Sequence, residues 1–412
     1  MTFYERKLYK KIKPYLDTPD IIVIQGARQT GKTSLLHIIM RDLPENDYAY
    51  LDLEYSNLLE VCDGGPENLL AYLKQGGMLK NQEKFYVLID EIQYMSNPSS
   101  FLKLIHDHYP YLKLIVSGSS SFDIRRKFQD SLVGRTLNFD LYPLDFEEFL
   151  VFKEKPFDLH EKIDTRVLLD ELTVLYREYV LYGGYPRIVL SDSIQMKEQY
   201  LQQIIDTYVR KDIRELGRIR GMDKFNKLLR VLASQSGSLL NVTELANTTQ
   251  LSKQTLEDYL FILEKTYIIK LLPPFSRNIR SELFKTHKIF FFDTGLLHLL
   301  WLKMLPREIM GSVFETAVFS DLAKNLGSEN INFWRTQDKK EIDFIISWRG
   351  KIIPIEVKLN AGRMNYNAIN YFTSHYHPDR AFCLSLEGKL PHDEPGLIQL
   401  APWDLWALIA KE

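Results

Sequence analysis

The run IIVIQGARQTGKTSLL, from Ile21 to Leu36, limits the folds open to this chain more than any other stretch. Apolar residues lead to Gln25, a loop opens at Gly26 and closes at Gly31, and apolar residues then return at helical spacing in SLLHIIM. A buried strand that passes through a glycine loop straight into a helix is half of a βαβ unit, and such units build parallel sheets covered on both faces. The theme repeats in YAYLDL (48–53), FYVLID (85–90), YLKLIVSG (111–118) and TLNFDLY (136–142), apolar runs set apart by helix-length segments. Residues 1–150 are therefore expected to form an α/β domain around a mainly parallel sheet.

The loop itself fits the pattern G-x-x-x-x-G-K-[ST] through Gly26, Ala27, Arg28, Gln29, Thr30, Gly31, Lys32 and Thr33. Glycines let the backbone wrap closely, so that its N–H groups and the helix N-terminus face a phosphate chain. Lys32 is expected to reach the β- and γ-phosphates of ATP, and the Thr33 hydroxyl to bind Mg²⁺. A surface turn containing GKT is the bland alternative; the strand before and the helix after weigh against it. FYVLIDEIQY supplies the complement. Asp90 and Glu91 stand at a strand's C-terminal end, where parallel sheets bind ligands. Asp90 is expected in the Mg²⁺ shell and Glu91 as the group that polarises the attacking water.

With the loop, the Asp-Glu strand end and then Leu114-Ile115-Val116-Ser117-Gly118-Ser119-Ser120, this half resembles the AAA+ group of P-loop ATPases. The resemblance implies a γ-phosphate sensor at the end of the next strand. Ser117 and Ser119 both lie there, and Ser119 is the preferred candidate. It also implies an arginine finger before the last core strand, where Arg135 stands in LVGRT, acting across a homo-oligomer interface. A salt bridge within its own subunit is an equal alternative for Arg135. Arg187, in GGYPR, resembles the second sensor arginine of the same group, although Gly-Gly with Pro also reads as a tight turn.

After the ATPase core the pattern changes. Asp145 with Glu148 has capping-box spacing, so a helix is expected to start there. Residues 151–222 read as a helical lid with a break at Tyr182–Pro186. In 223–275, Asn241 or Thr243 opens a short helix and Leu256, Tyr259, Leu260 and Leu263 give a second helix one apolar face; YIIKLL then closes a winged helix. Lys253, Gln254 and Thr255 lead that second helix and could enter a DNA major groove, or the module could dock protein instead. Just upstream, Arg210, Arg214 and Arg218 share one helical face.

The stretch WRTQDKKEIDFIISWRGKIIPIEVK carries Asp343 near the end of one strand, a turn at Arg349-Gly350, and Glu356-x-Lys358 on one face of the next. Asp343 with Glu356 and Lys358 resembles the PD-(D/E)xK nucleases, and Glu315 in GSVFETAVFSDL fits their upstream acid. In such a site carboxylates bind Mg²⁺ and the lysine orients water. Residues 276–412 are thus expected to be an α/β restriction-endonuclease-like domain. Over most of its length the chain resembles bacterial and archaeal AAA+ ATPases that carry a C-terminal DUF4143 domain, through GARQTGKT, GSVFE, EIDFII and PIEVK.

Composition narrows the partners. Lysine plus arginine number 52 against 54 acids, so any DNA contact must use local patches. The two cysteines, Cys62 and Cys383, cannot make a disulfide framework. Neither a signal-type apolar core nor a membrane-length run is present, so a cytoplasmic protein is expected. The functional expectation is an ATP-hydrolysing AAA+ protein acting on DNA. The alternative is a nucleotide-switched interaction module whose nuclease-like domain is inactive.

Overall fold

The computed structural model describes residues 3–79, 84–118, 132–155, 157–161, 163–207, 221–276 and 286–405. It divides into two units, Met1–Tyr142 and Pro143–Glu412, and the helix that begins at Phe146 lies in the second.

In the first unit the expected strands form as β1 (Ile21–Gln25), β2 (Tyr48–Asp52), β3 (Phe85–Asp90), β4 (Leu112–Gly118) and β5 (Thr136–Asp140). They make one sheet in the order β2-β3-β4-β1-β5, and every pairing in it is parallel. Because side chains alternate across a strand, each strand feeds two cores. Ile21, Val23, Val87, Ile89, Leu114 and Val116 face one side. Ile22, Ile24, Leu88 and Ile115 face the other, where Leu35, Leu36, Ile38 and Ile39 of the helix Lys32–Asp42 cover them. Each such aliphatic side chain contributes about 1.5–3 kcal/mol on full burial. The all-parallel register gathers the C-terminal residues Gln25, Asp52, Asp90, Gly118 and Asp140 along one edge.

The second unit opens with the helix Phe146–Phe152, held by the expected capping box: Glu148 N–H donates to Asp145 at 2.9 Å and Asp145 N–H donates back to the Glu148 carboxylate at 3.3 Å. The helix Arg166–Tyr182 stops at Gly183, whose φ of 80° favours glycine. A Cβ at Gly183 would collide with the Asp293 carboxylate, and one at Gly184 with the Leu144 carbonyl oxygen, so close approach explains both glycines. Helices Met222–Ser234, Val242–Thr249 and Lys253–Lys265 follow, the last two capped by Asn241 and Ser252. They lead into the antiparallel pair β6 (Ile269–Leu272) and β7 (Lys288–Phe291). The basic stripe of Arg210, Arg214 and Arg218 lies outside the described residues.

Helices Thr294–Leu302 and Gly311–Leu326 then precede a second sheet of β8 (Ile331–Arg335), β9 (Glu341–Trp348), β10 (Lys351–Val357), β11 (Ala381–Leu384) and β12 (Leu397–Leu400). Its order is β12-β11-β10-β9-β8, antiparallel from β8 to β10 and parallel from β10 to β12. β9 runs on to Trp348, so Asp343 stands at the strand's entry and not at its exit. Arg349 and Gly350 both have positive φ, 48° and 81°, which suits the tight turn of a hairpin. Among the described residues no helix is long and apolar enough to cross a membrane.

Candidate functional site

Two clusters assemble, one in each unit. In the first, β1 ends in the loop Gly26–Gly31. Gly31 takes a left-handed φ of 97° and Gln29 one of 61°, which turn the chain sharply into the helix that starts at Lys32. Gly26 has no room for a side chain, since a Cβ would meet the carbonyl oxygen of Leu141. Lys32 is buried and curls back, its ammonium donating to the carbonyls of Gly26 at 3.2 Å and Ala27 at 2.9 Å. Thr30 closes the loop from within by donating to Ala27 O at 2.9 Å. Gln29 Oε1 is buried without a hydrogen-bond partner among the described residues, an unmet polar atom inside the cradle.

Thr33 Oγ1 donates to Asp90 Oδ2 at 2.6 Å. The same carboxylate accepts from Tyr50 Oη at 3.1 Å, from the Glu91 N–H at 3.1 Å and from the Ser117 hydroxyl. Asp90 is thereby buried yet well bonded, with its oxygens aimed at the start of the phosphate-loop helix. Glu91 follows in left-handed backbone, φ 56°, and its carboxylate accepts from Gln93 Nε2. Burial, and then the charge of Glu91, raise the Glu54 carboxyl above its usual range, so negative charge concentrates at this strand edge. A Mg²⁺-bound phosphate chain suits such an edge: a threonine hydroxyl and an aspartate carboxylate are already in contact, with the Lys32 ammonium on the loop beside them.

Two contributors, Tyr50 and Arg6, are not legible in the sequence, and a third, Ser117, takes the place of the preferred candidate beside it. Tyr50 sits on β2, where a strand pattern gives no hint of a bond to β3. Of the two serine candidates, Ser117 is bonded to Asp90, and Ser119 lies outside the described residues. Arg6 left no signal at all. It is buried, and its guanidinium donates to Thr30 O at 2.6 Å and Tyr142 O at 2.8 Å, pinning the phosphate loop to the end of β5. Arg135 is engaged within its own chain, in a two-pronged pair with Asp107 at 2.8 and 3.0 Å. Arg187, in the second unit, lies over the Tyr200 ring at 3.7 Å and donates to Gln203 at 3.4 Å.

The second cluster belongs to the second unit alone. The β9–β10 register, which sets Ile355 against Phe344, brings Glu356 alongside Asp343. Lys358 Nζ lies 2.7 Å from Glu356 and 3.3 Å from Asp343, and Val357 N–H donates to Asp343 at 2.8 Å. Glu315, on the helix Gly311–Leu326, lies near enough for its charge to interact with those of Asp343 and Lys358. All four residues expected together in this region therefore converge. Burial raises the Glu356 carboxyl well above its usual range. Burial and the Asp343 charge push Glu315 up to about 7. Burial also works against ionised Asp343, but Lys358, Lys288 and the Val357 N–H hold it below its ordinary value.

Residues 18–150 match the AAA domain family, and residues 310–396 match the domain of unknown function DUF4143. The chain combines an AAA domain with a DUF4143 domain. Between them, residues 173–308 match a further domain of unknown function, DUF8612. The chain is similar to the uncharacterized protein MJ1544 of Methanocaldococcus jannaschii, 28% identical over 82% of this chain and 75% of the relative. An uncharacterized protein of Haemophilus influenzae is 27% identical over 83% of each chain. Among solved structures, the Walker-type ATPase PABY2304 of Pyrococcus abyssi aligns at 16% identity and a TM-score of 0.49, over 73% of this chain and 96% of that one. The AAA-domain half is a mixed α/β P-loop fold with its five strands parallel.

Proposed function

We propose that this AAA-domain protein binds ATP with Mg²⁺ at the loop Gly26–Thr33 and hydrolyses it. The contact between Thr33 and Asp90 carries the reading, because a hydroxyl and a carboxylate at 2.6 Å beside a phosphate-type loop form a ready-made cation shell. Bound Mg²⁺ would neutralise phosphate charge there. Lys32 exchanges the carbonyls of Gly26 and Ala27 for phosphate oxygens. Glu91, once freed from Gln93, takes a proton from the attacking water. Ser119 and Arg187 are proposed to sense the nucleotide, and Arg135 to leave Asp107 for a neighbouring subunit's site in a homo-oligomer. Measured phosphate release with Mg²⁺, absent in Lys32→Ala, tests the ATPase; equal release in the variant sinks it.

We further infer that turnover is coupled to DNA, contacted through Lys253, Gln254 and Thr255 at the exposed start of the helix Lys253–Lys265. This treats the three helices and the β6–β7 pair as a winged helix. DNA should then raise the ATPase rate in a salt-sensitive way. A protein-docking reading has its own support. The same helix carries Glu257, Asp258 and Glu264 against Lys253 and Lys265, and Gln254 is bonded to Asp258 at 3.1 Å. ATPase turnover indifferent to duplex and single-stranded DNA would select this second reading.

A further inference from the structure

The second cluster contains a residue that the nuclease-like pattern does not include. Lys288, from β7, is only 2% exposed, and its ammonium lies 2.6 Å from Glu341 Oε1, 3.2 Å from Glu315 Oε1 and 4.0 Å from Asp343 Oδ1. The two oxygens of Asp343 are thus shared out: Oδ1 faces Lys288, while Oδ2 faces Lys358 and the Val357 N–H. We infer that Lys288 is a built-in cation standing where a divalent metal would sit, so that this acidic cluster is charge-balanced without metal and does not cleave phosphodiesters.

Space and charge both argue for it. Mg²⁺ needs oxygen ligands at about 2.0–2.1 Å in near-octahedral array. The region bounded by Glu315, Glu341 and Asp343 already holds an ammonium on a buried stem, and the face of Asp343 toward Glu356 holds a second. A divalent ion entering beside them would meet two positive charges at close range, where water screens them poorly. The cluster has little negative charge left to offer. Its acids are Glu315, Glu341, Asp343 and Glu356; its cations are Lys288, Lys358 and Arg335, the last 2.6 Å from Glu341. One surplus carboxylate remains among these ion pairs. Among the described residues no group of three or more His, Cys, Asp or Glu is arranged to hold a metal ion. The geometry makes Lys288 a clamp instead: it ties β7 to the helix Gly311–Leu326 and to β9 through ion pairs that water reaches poorly.

Mn²⁺ binding followed by electron paramagnetic resonance tests this in the full-length, nucleotide-free protein. Asp90→Asn serves as the background, so that the AAA-domain site does not contribute. The expected result is no stoichiometric Mn²⁺ in that background and no change on adding Asp343→Asn. Plasmid incubated with Mn²⁺ and protein should stay intact. Adding Lys288→Met, which keeps the stem and removes the charge, should create a Mn²⁺ site that Asp343→Asn then abolishes. A stoichiometric Mn²⁺ site in the Lys288-containing protein that Asp343→Asn removes overturns the inference. So does a folded Lys288→Met variant that gains no Mn²⁺. If Lys288→Met does not fold, the comparison made with Lys288 intact decides alone.

Discussion

Thr33 Oγ1 and Asp90 Oδ2 meet at 2.6 Å, though they belong to a helix after β1 and to the end of β3, strands that are not neighbours in the sheet. β4 lies between them and contributes Ser117, whose hydroxyl also donates to Asp90. The hydroxyl and the carboxylate are thus prearranged by three strands and do not depend on loop closure. Asp90→Asn should leave the fold intact and lower ATP affinity about tenfold with Mg²⁺ but hardly at all in EDTA, given metal-bridged phosphate binding. Isothermal titration under both conditions reads it; an equal loss in EDTA would move Asp90 out of the metal shell.

Glu91→Gln should bind ATP normally and lose turnover by about 10²–10⁴, the range for removing a general base. Since Gln93 already holds the Glu91 carboxylate, Gln93→Ala should not lower turnover and is expected to raise it. Single-turnover hydrolysis with a radiolabelled nucleotide separates the two effects. A Glu91→Gln enzyme as fast as the parent rules out Glu91 as the base.

Arg6→Ala should weaken nucleotide binding although Arg6 need not touch nucleotide. Its two bonds hold the Thr30 and Tyr142 carbonyls, and charged hydrogen bonds of this kind are worth about 1.5–3 kcal/mol each when buried partners are left unmet. A lower melting temperature with a raised Kd for a fluorescent ATP analogue is expected. Arg6→Lys should recover only part of both, because one ammonium cannot span two carbonyls as a planar fork does.

Arg135 is paired with Asp107, so any action across a subunit interface has a specific cost: that pair must open. Mixing Arg135→Ala with Lys32→Ala protein should restore some ATPase activity if the arginine acts in trans. Asp107→Asn should then raise activity by releasing Arg135. No recovery in any mixture, with Arg135→Ala fully active when dilute, assigns the arginine to the pair alone.

His298 gives a pH signature. It is fully buried, with Nδ1 2.9 Å from Leu181 O and Nε2 without a partner among the described residues, and burial pushes its pKa down to about 4. The unfolded chain takes up that proton near 6.5 and the folded chain resists it to about 4. Its contribution is therefore present above 6.5 and lost as pH falls through that window, with a limit of about 1.4 kcal/mol per pH unit. Chemical denaturation between pH 7 and 4 should show a shallower fall in His298→Phe than in the parent.

How much of this could be read beforehand depended on the range of the interaction. β1, β3 and the loop between Gly26 and Thr33 declare themselves because the apolar run, the glycines and the lysine are consecutive. Asp343, Glu356 and Lys358 were also legible, since a hairpin with a two-residue turn fixes their register. Arg6, Tyr50 and Lys288 were not. Each acts on residues far along the chain through a fold that no local pattern encodes, and each reads in isolation as ordinary surface charge or strand filler. The exit of β9 is hidden for a related reason: the pairing of Ser347 and Trp348 with Ile352 and Lys351 extends the strand past the continuous apolar run Phe344–Ile346.

The strand order has a consequence for how the protein is made. β1 leaves the ribosome before the other four strands of its sheet, yet both of its neighbours, β4 and β5, come from residues 112–140. Until those emerge, Ile21–Gln25 has no edge to pair with and the most apolar segment near the N-terminus stays open to other chains. At about 5–20 residues per second the wait lasts several seconds. Nascent chains truncated before Thr136 are thus the species most in need of a chaperone, and the glycine loop gains its shape only when the last strand of its sheet arrives.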